Sequence, residues 1–267
     1  MSDGGACLGE IQVHATDSCN LNCKACTHFS PFVKGRRQIN MTQFEHDMHR
    51  LRELFSSLYV FQLMGGEPLL EPEICMEMIQ IVRSYYPECS INLITNGMLI
   101  DKMEDKFWSV LRNNCVTIRV SVYPLVVPKV ERIKQILRQQ GIDFICEISN
   151  KVEFEKCFTI KSKSNAYENM RRCHGRGGYS LYQGRITKCP SAMYARDLAA
   201  ELKKTDMNGE WLYANDAIDI YKENDAWSII ERLEEICEYC DVTNMVRIPW
   251  EPVQGKPSLA DWFLDCE

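Results

Sequence analysis

The sequence predicts an α/β protein built as a partial (β/α)5-6 TIM-like barrel with a small C-terminal α+β extension. Three observations indicate this fold. Apolar strands alternate with amphipathic helices from residue 10 to about residue 160, short distinctive motifs follow the predicted strands, and the strand count is below the eight of a closed barrel. We therefore divide the 267 residues into a barrel core, 1–160, and an extension with its tail, 161–267.

Six strands are predicted in the core, at residues 10–16, 59–64, 90–95, 116–122, 142–148 and 158–160. Four helices separate the first five strands. The first is expected to begin at Thr42, because Thr42-x-x-Glu45 has the form of a capping box. The other three are expected near Pro72, after Asp101 and at Pro128.

The ends of four predicted strands carry the most distinctive residues. These are a cysteine-rich loop, then Gly-Gly-Glu-Pro, Thr-Asn-Gly and Ser-Val-Tyr-Pro stretches. The carboxyl ends of parallel strands meet on one rim, which is where β/α barrels place their chemistry. This pattern favours a barrel, although an open doubly wound sheet also binds ligands at that edge.

Three cysteines follow the first strand with the spacing C-x3-C-x2-C: Cys19, Cys23 and Cys26. Structural zinc sites usually combine two close pairs brought together from separate segments. Disulfide frameworks are typical of small secreted chains, and this chain is neither small nor preceded by a signal peptide. Three clustered thiolates suit a cubane iron–sulfur cluster that retains one iron without a protein ligand.

This spacing resembles the CxxxCxxC signature of the radical S-adenosylmethionine (SAM) superfamily. The resemblance implies that Cys19, Cys23 and Cys26 hold a [4Fe-4S] cluster whose fourth iron binds the amino and carboxylate groups of SAM. It further implies that one-electron reduction cleaves SAM to methionine and a 5'-deoxyadenosyl radical, which abstracts a hydrogen atom from a substrate. The expected electron donor is a flavodoxin or a ferredoxin.

The Gly-Gly-Glu-Pro stretch after the second strand is the next point of resemblance. Gly65, Gly66 and Glu67 match the family's GGEP motif, which binds the amino group of SAM. Glycines allow close approach of a backbone to a ligand, and a carboxylate can accept a hydrogen bond from an ammonium group. In isolation the same four residues are also typical of an ordinary turn.

Further SAM contacts are implied at two later strand ends and in the cysteine loop. Asn96 and Ser121 occupy positions where family members contact the carboxylate or ribose of SAM. A turn asparagine and a serine at the core edge explain these two residues equally well. The residue before the third cysteine is aromatic in many members but is Ala25 here, so we expect His28 or Phe29 to contact the adenine.

A second set of four cysteines lies in the extension: Cys173, Cys189, Cys237 and Cys240. Their layout, C-x10-G-x4-C followed by C-x2-C, resembles the twitch and SPASM extensions of radical SAM enzymes and is nearer the smaller twitch form. The resemblance implies an auxiliary [4Fe-4S] cluster. A zinc site with the same four ligands is the alternative, because four-cysteine sites serve both metals. Cys266 is a possible replacement for one ligand.

Two further features are predicted in the extension. A hairpin is expected over residues 179–188, with its turn at Gln183-Gly184. The tail contains the aromatic residues Trp250, Trp262 and Phe263. We expect them to pack over the domain, with a lid over the open side of the barrel as the less favoured alternative.

Composition limits the partners. The net charge of −6 and the pI near 5.5 argue against a sequence-independent nucleic-acid binder, which would carry a basic face. No apolar stretch is long enough to span a membrane, and no signal peptide is recognisable. Fourteen cysteines without such a signal indicate the reducing cytoplasm. Those outside the two sets, Cys157 among them, are interpreted mostly as buried free thiols.

The expected function is that of a radical SAM enzyme, most consistent with a dehydrogenase or epimerase-type oxidoreductase. The favoured substrate is a carbohydrate-like small molecule, because a twitch dehydrogenase of an aminocyclitol has a comparable auxiliary set. One alternative is modification of a ribosomal peptide or a protein side chain. About ten residues precede the first strand, fewer than a leader-binding domain needs. The non-enzyme alternative is a metal-stabilised binding or electron-transfer module. No catalytic residue is assigned.

Overall fold

The computed structural model describes residues 5–147, 152–160, 163–173, 177–195, 198, 217–230 and 235–266. Its main helices are α1 Met41–Leu54, α2 Pro72–Tyr85, α3 Asp105–Asn113, α4 Val130–Gln139, α5 Ala166–Arg172 and α6 Pro190–Tyr194. Its strands are β1 Cys7–Thr16, β2 Ser57–Gly65, β3 Ser90–Thr95, β4 Thr117–Ser121, β5 Phe144–Glu147, β6 Glu153–Lys156, β7 Tyr179–Tyr182, β8 Arg185–Thr187, β9 Ile218–Asp219 and β10 Val246–Pro249.

Eight strands form one sheet in the order β5-β4-β3-β2-β1-β7-β8-β9. The five core strands are parallel to their neighbours, and β7 also pairs in parallel with β1. Within this sheet the pairs β7–β8 and β8–β9 are antiparallel. The predicted fold class is therefore confirmed: a mixed α/β protein with a mostly parallel sheet.

The hydrophobic core lies between the outer face of this sheet and the helices. Alternate residues of β1 and β2, such as Ile11, Val13, Phe61 and Leu63, are fully buried there. Each large apolar side chain of this kind contributes about 1.5–3 kcal/mol relative to an exposed one. The intervening residues of the same strands face the inside of the curved sheet, because successive side chains point to opposite faces.

The first helix begins earlier than the sequence predicted. Asn40 is the N-cap of α1, and its side chain accepts a hydrogen bond from the Gln43 amide. Thr42 lies within the first turn, so no Thr42–Glu45 capping box forms. Asparagine is among the best N-caps, and it precedes the predicted start by two residues. Likewise, a 3-10 turn over Ile100–Lys102 delays α3 to Asp105.

The predicted sixth core strand was also wrong. Residues 158–160 form no strand of the main sheet, and Phe158 makes only isolated bridges, to Cys240 and to Phe263. The preceding residues form β6, which pairs antiparallel with β10 in a separate two-stranded sheet. A short apolar run does not specify its partner, and here the partner comes from the far end of the chain. Ile148, at the end of the predicted fifth strand, lies outside the described residues.

The predicted hairpin in the extension is confirmed. β7 and β8 pair antiparallel, and Gln183-Gly184 forms the two-residue turn. Both turn residues have positive φ, 48° and 73°, which is the geometry of a type I′ turn. A side chain at Gly184 would come within 2.8 Å of the Tyr221 ring.

Asp47 on α1 ties this hairpin to the core. Its buried carboxylate accepts hydrogen bonds from the Gly184 amide at 2.8 Å and from the Tyr221 hydroxyl at 2.8 Å. The Gln43 side chain donates a third bond at 2.7 Å. The extension is thus connected to the core by α1 as well as by β7. The division at residue 160 stays a prediction, and residue 161 lies outside the described residues.

Candidate functional site

The loop after β1 brings the three N-terminal thiols to one cavity. Cys19, Cys23 and Cys26 line a space of about 130 Å³ at the carboxyl ends of the first four strands. The remaining lining residues come from the same loop, from these strand ends and from β6: Leu21, Thr27, His28, Ser30, Met64, Gly65, Gly66, Ile94, Thr95, Asn96, Ser121, Tyr123 and Phe154. The motifs that the sequence placed on one rim therefore do meet there.

The two glycines are required by the cysteine loop itself. A side chain at Gly65, whose φ is 141°, would lie 2.2 Å from the carbonyl oxygen of Thr16. One at Gly66 would lie 2.2 Å from the carbonyl oxygen of Ser18. The Gly66 amide donates to Thr16 O at 2.9 Å, and the Glu67 amide donates to Ser18 O at 2.9 Å. The end of β2 thus fixes the backbone just before Cys19.

Glu67 is buried beneath the cavity and does not line it. Its carboxylate accepts hydrogen bonds from Thr95 Oγ1 at 2.6 Å, the Asn96 amide at 2.8 Å and the Leu69 amide at 3.0 Å. Burial raises the pKa of this carboxyl to about 7, and the three donors oppose that rise. In this geometry the carboxylate joins the ends of β2 and β3. Its predicted contact with the SAM amino group stays a prediction.

Asn96 and Ser121 both lie on the cavity wall. The side-chain nitrogen Nδ2 of Asn96 donates to Asn20 Oδ1 at 2.7 Å, which links the end of β3 to the cysteine loop. The side-chain oxygen Oδ1 of Asn96 accepts from the Met98 backbone amide at 3.0 Å. Ser121 ends β4. Their predicted roles toward SAM are compatible with these positions and stay predictions.

Phe29 lies away from the cavity, whereas His28 lines it. The Phe29 ring is fully buried, with its centroid 6.3 Å from that of Phe158, in a second apolar cluster under the extension. Of the two residues predicted to contact adenine, the structure thus brings only His28 to the cavity wall.

An aromatic wall is formed by Tyr123 and Phe154, which line the cavity, and by Trp250, which contacts Tyr123; the sequence did not predict these contacts. Tyr123 stacks on Phe154 with ring centroids 6.0 Å apart, and it lies at the same distance from Trp250. The indole N–H of Trp250 donates to the sulfur of Cys23 at 3.1 Å. Tyr123 had a local signal, since it follows β4 in the Ser-Val-Tyr-Pro stretch. Trp250 was predicted only to pack over the domain, and its contact with Cys23 had no local signal because the two residues are 227 positions apart.

The tail crosses the cysteine loop as a strap, which we define as residues 250–263. Pro252 forms a β-bridge with Cys23. The Lys24 amide donates to Glu251 O at 3.0 Å, and the Val253 amide donates to Asn22 O at 2.6 Å. Trp262, fully buried in the second apolar cluster, donates its indole N–H to Cys26 O at 2.9 Å. The predicted apolar packing of Trp262 and Phe263 is present, and residues 250–253 also cover the loop.

The donor set fits an iron–sulfur cluster. All fourteen cysteines are free thiols, and three of them converge on this cavity. The Leu21 amide donates to Cys19 Sγ at 3.3 Å, so two of the three sulfurs accept an N–H bond of the kind that tunes such clusters. Burial raises the pKa of the Cys19 thiol, so metal binding must displace its proton. Within the described ranges, no three His, Cys, Asp or Glu side chains are grouped for a single metal ion.

The second set of thiols surrounds a separate cavity of about 240 Å³. Cys173, Cys189, Cys237 and Cys240 all line it, and so does Cys157, which the sequence did not single out. Cys266 does not line it. The structure thus brings the four predicted residues together, while their role as cluster ligands stays a prediction.

The two cavities are neighbours. Thr27, next to Cys26, lines both of them. Ser191, at the start of α6 two residues after Cys189, donates to the Thr27 carbonyl at 3.1 Å. The loops that carry the two thiol sets are therefore in direct contact.

A buried histidine on the inner face of β1 lies beside this contact. His14 Nδ1 is 3.0 Å from Asp17 Oδ1, and its ring stacks on Tyr194 at a centroid distance of 3.5 Å. His28 packs edge-on against it at 4.6 Å. No sequence pattern indicated this group, because its members come from three separate segments.

Known proteins resemble parts of this chain. Residues 8–125 match the family described as a 4Fe-4S single cluster domain. The chain is 25% identical over 174 residues to a GTP 3',8-cyclase of Aliarcobacter butzleri, which covers 62% of this chain and 52% of that protein. It is 27% identical over 100 residues to the GTP 3',8-cyclase of Microcystis aeruginosa, covering 37% and 30%. The chain thus spans about half the length of the first relative and less of the second.

Solved structures show a weaker likeness. A crystal structure of BtrN in complex with AdoMet and 2-DOIA aligns with a TM-score of 0.47 and 13% identity, over 84% of this chain and 96% of that one. Native anSMEcpe with bound AdoMet aligns with a TM-score of 0.43 and 22% identity, over 52% and 43%. No helix among the described residues is long and apolar enough to cross a membrane.

Proposed function

We propose that the chain is a radical SAM enzyme, which cleaves SAM reductively and takes a hydrogen atom from a polar, carbohydrate-like small molecule. One observation carries the proposal: three thiols of one loop converge on a cavity walled by the carboxyl ends of the parallel strands. When bound there, a [4Fe-4S] cluster and SAM supply a 5'-deoxyadenosyl radical.

The residues around the cavity have distinct tasks in this proposal. Cys19, Cys23 and Cys26 would hold three irons of the cluster and leave the fourth open. Asn96 and Ser121 would offer an amide and a hydroxyl to the polar groups of SAM. The aromatic wall of Tyr123, Phe154 and Trp250 would keep water away, which protects a reactive species from side reactions.

The inner face of the sheet favours a polar substrate. Gln62 shares a face of β2 with the cavity residue Met64, and Arg119 shares a face of β4 with Ser121. Gln62 Nε2 donates to Glu10 Oε2 at 3.1 Å, and Arg119 pairs with Glu147. Groups of this kind, on the same face of the sheet as the cavity residues, would exchange their mutual bonds for bonds to the hydroxyls of a sugar-like molecule.

The adjacent thiol cavity favours an oxidation. A second metal centre held by protein thiolates alone would accept an electron rather than bind substrate. Thr27 lines both cavities, so a centre in the second would be adjacent to the first. We therefore favour a dehydrogenase-type outcome, with a flavodoxin or ferredoxin as the external reductant of the first cluster.

The proposal is tested by anaerobic reconstitution with iron and sulfide. The wild-type chain is expected to bind about eight irons, as two cubane clusters require. With dithionite and SAM it should release 5'-deoxyadenosine, measured by liquid chromatography. Cys23→Ala should abolish this cleavage because it removes one of three iron ligands. Cys237→Ala should retain cleavage, and Cys115→Ala, which removes an exposed thiol outside both sets, should match the wild type.

Full cleavage by Cys23→Ala would contradict the assignment of the first cluster. Iron-free protein that binds zinc and ignores SAM would support the non-enzyme alternative, a metal-stabilised module. Consumption of an added peptide in preference to sugars and aminocyclitols would favour peptide modification over the small-molecule substrate.

A further inference from the structure

The cavity of the second cysteine set contains one thiol more than a four-ligand metal site needs. Five cysteines line it: Cys157, Cys173, Cys189, Cys237 and Cys240. Either a cubane cluster or a zinc ion is satisfied by four thiolates. The structure therefore raises the question of which four sulfurs bind the metal.

Backbone hydrogen bonds fix Cys157 beside the C-terminal pair. The Asp241 amide donates to Cys157 O at 2.7 Å, and the Thr159 amide donates to Tyr239 O at 2.9 Å. These two bonds form the antiparallel bridge between Phe158 and Cys240. The position of Cys157 is thus set by main-chain pairing and not by a flexible side chain.

The sulfur of Cys157 is in direct contact with a predicted ligand. The Cys240 thiol donates a hydrogen bond to it. Cys157, Cys189 and Cys240 also pack against the second apolar cluster, so each is partly shielded from solvent.

Cys173 differs from the other four thiols. It is exposed, whereas Cys157, Cys189, Cys237 and Cys240 are only partly accessible. It is the C-cap of the seven-residue helix α5, on the rim of the cavity. To bind the metal, Cys173 would have to lose its contact with solvent and fix the end of a short helix. Main-chain hydrogen bonds already hold Cys157 at the cavity.

We propose that Cys157, Cys189, Cys237 and Cys240 bind the second metal, and that Cys173 is not required. The inference rests on the proposed function only in needing a second metal centre. It replaces one of the four ligands that the sequence spacing predicts. The reason is physical: spacing along the chain detects close pairs, whereas Cys157 is held at the site by the β-bridge between its neighbour Phe158 and Cys240, which lies 82 positions further along the chain.

Metal analysis of matched variants tests the proposal. Cys157→Ala, Cys173→Ala and Cys189→Ala are prepared and reconstituted without oxygen, and iron, sulfide and zinc are measured per chain. Cys157→Ala and Cys189→Ala should each lose about half of the iron, or the zinc if that is the resident metal. Cys173→Ala should keep the wild-type content and the wild-type electron paramagnetic resonance spectrum of the reduced second cluster. Cys115→Ala is the control for removal of an unrelated thiol.

Alkylation of the wild-type protein gives a readout that does not depend on the folding of a variant. Metal-loaded and chelator-treated samples are treated with iodoacetamide, and labelled cysteines are identified by mass spectrometry. Cys157 should be protected only while the metal is bound, and Cys173 should be labelled in both samples. Labelling of Cys157 in the loaded protein would overturn the proposal.

The outcomes separate this inference from the proposed function. Full metal content in Cys157→Ala, or loss of the second metal in Cys173→Ala, overturns the ligand set alone. Wild-type protein that binds the first cluster and no second metal overturns the second centre, and the ligand set with it. Wild-type protein that binds no iron at all overturns the proposed function.

Discussion

Single side chains from distant parts of the chain complete the first thiol site. Trp250 is the clearest case, because its indole N–H reaches the sulfur of Cys23. Glu67 shows the reverse: its motif predicted a contact with a ligand, but its buried carboxylate accepts hydrogen bonds from Thr95 and two backbone amides. At this scale, motif membership indicated the neighbourhood of each residue but not the atoms it contacts.

We predict that Trp250→Phe lowers the reduction potential of the first cluster. An N–H bond to a ligand sulfur stabilises the more negative, reduced cluster, and a typical net hydrogen-bond energy of about 1 kcal/mol corresponds to roughly 40 mV for one electron. The measurement is a redox titration followed by electron paramagnetic resonance.

Trp262→Phe is the matched control for this measurement. It removes an indole N–H that contacts the same loop but bonds to the Cys26 carbonyl, not to a sulfur. The reduction potential of the first cluster in Trp262→Phe should stay near the wild-type value. Equal potentials in Trp250→Phe and wild type would show that the contact with Cys23 does not tune the cluster.

Among the elements, the five parallel strands and their helices follow directly from sequence periodicity. β3 has the bounds that its apolar run and the Thr-Asn-Gly stretch predict. The start of α1 was misplaced because Asn40 and Thr42 are both acceptable N-cap residues. The extended backbone of Asn40 and its side-chain hydrogen bond to the Gln43 amide identify Asn40 as the N-cap. The pairing of β6 with β10 was not predictable, because the local sequence of neither strand specifies which strand it pairs with.

The hairpin of the extension depends on α1 through Asp47, and this contact can be tested. We predict that Asp47→Ala lowers the free energy of unfolding by about 2–3 kcal/mol, because it leaves the buried Gly184 amide without its acceptor. Tyr221→Phe removes only one donor to the same carboxylate and should cost about 1 kcal/mol or less.

Urea denaturation of both variants measures the difference. An Asp47→Ala variant as stable as Tyr221→Phe would mean that the carboxylate does not hold the hairpin turn. The hairpin would then depend on its strand pairing with β1 and β9.

In the whole molecule, two apolar cores have different relationships to the thiols. The larger core fills the space between the sheet and its helices. The smaller one includes Phe29, Phe158 and Trp262 and has cysteines of both sets on its edge. Metal binding contributes folding free energy where ligands come from separate segments, so the smaller core should depend on it more strongly.

We predict that removal of metal loosens the extension and spares the core sheet. After chelation, amides of residues 157–160 and 235–240 should exchange with solvent at least about tenfold faster, a change of roughly 1.4 kcal/mol in local opening. Amides of β2 and β3 should keep their protection. Hydrogen exchange with mass spectrometry compares the two samples.

Cys189→Ala provides an independent comparison, since it should reproduce the loosening of the extension without a chelator. Equal loosening of β3 and of residues 235–240 would contradict the prediction. It would show that the whole molecule unfolds as one unit when the metal is lost.

By itself, the sequence determined the α/β class, the order of the parallel strands along the chain and the thiols of the first cavity. Each of these depends on local information: the period of apolar residues, the turn residues and the spacing of cysteines within one loop. The tertiary structure alone decided that the Gly65-Gly66 backbone supports the cysteine loop, that Trp250 covers Cys23 and that Cys157 joins the second thiol group. Those contacts join segments far apart in the chain, and no local pattern records them, because they arise only when the sheet and the tail have packed.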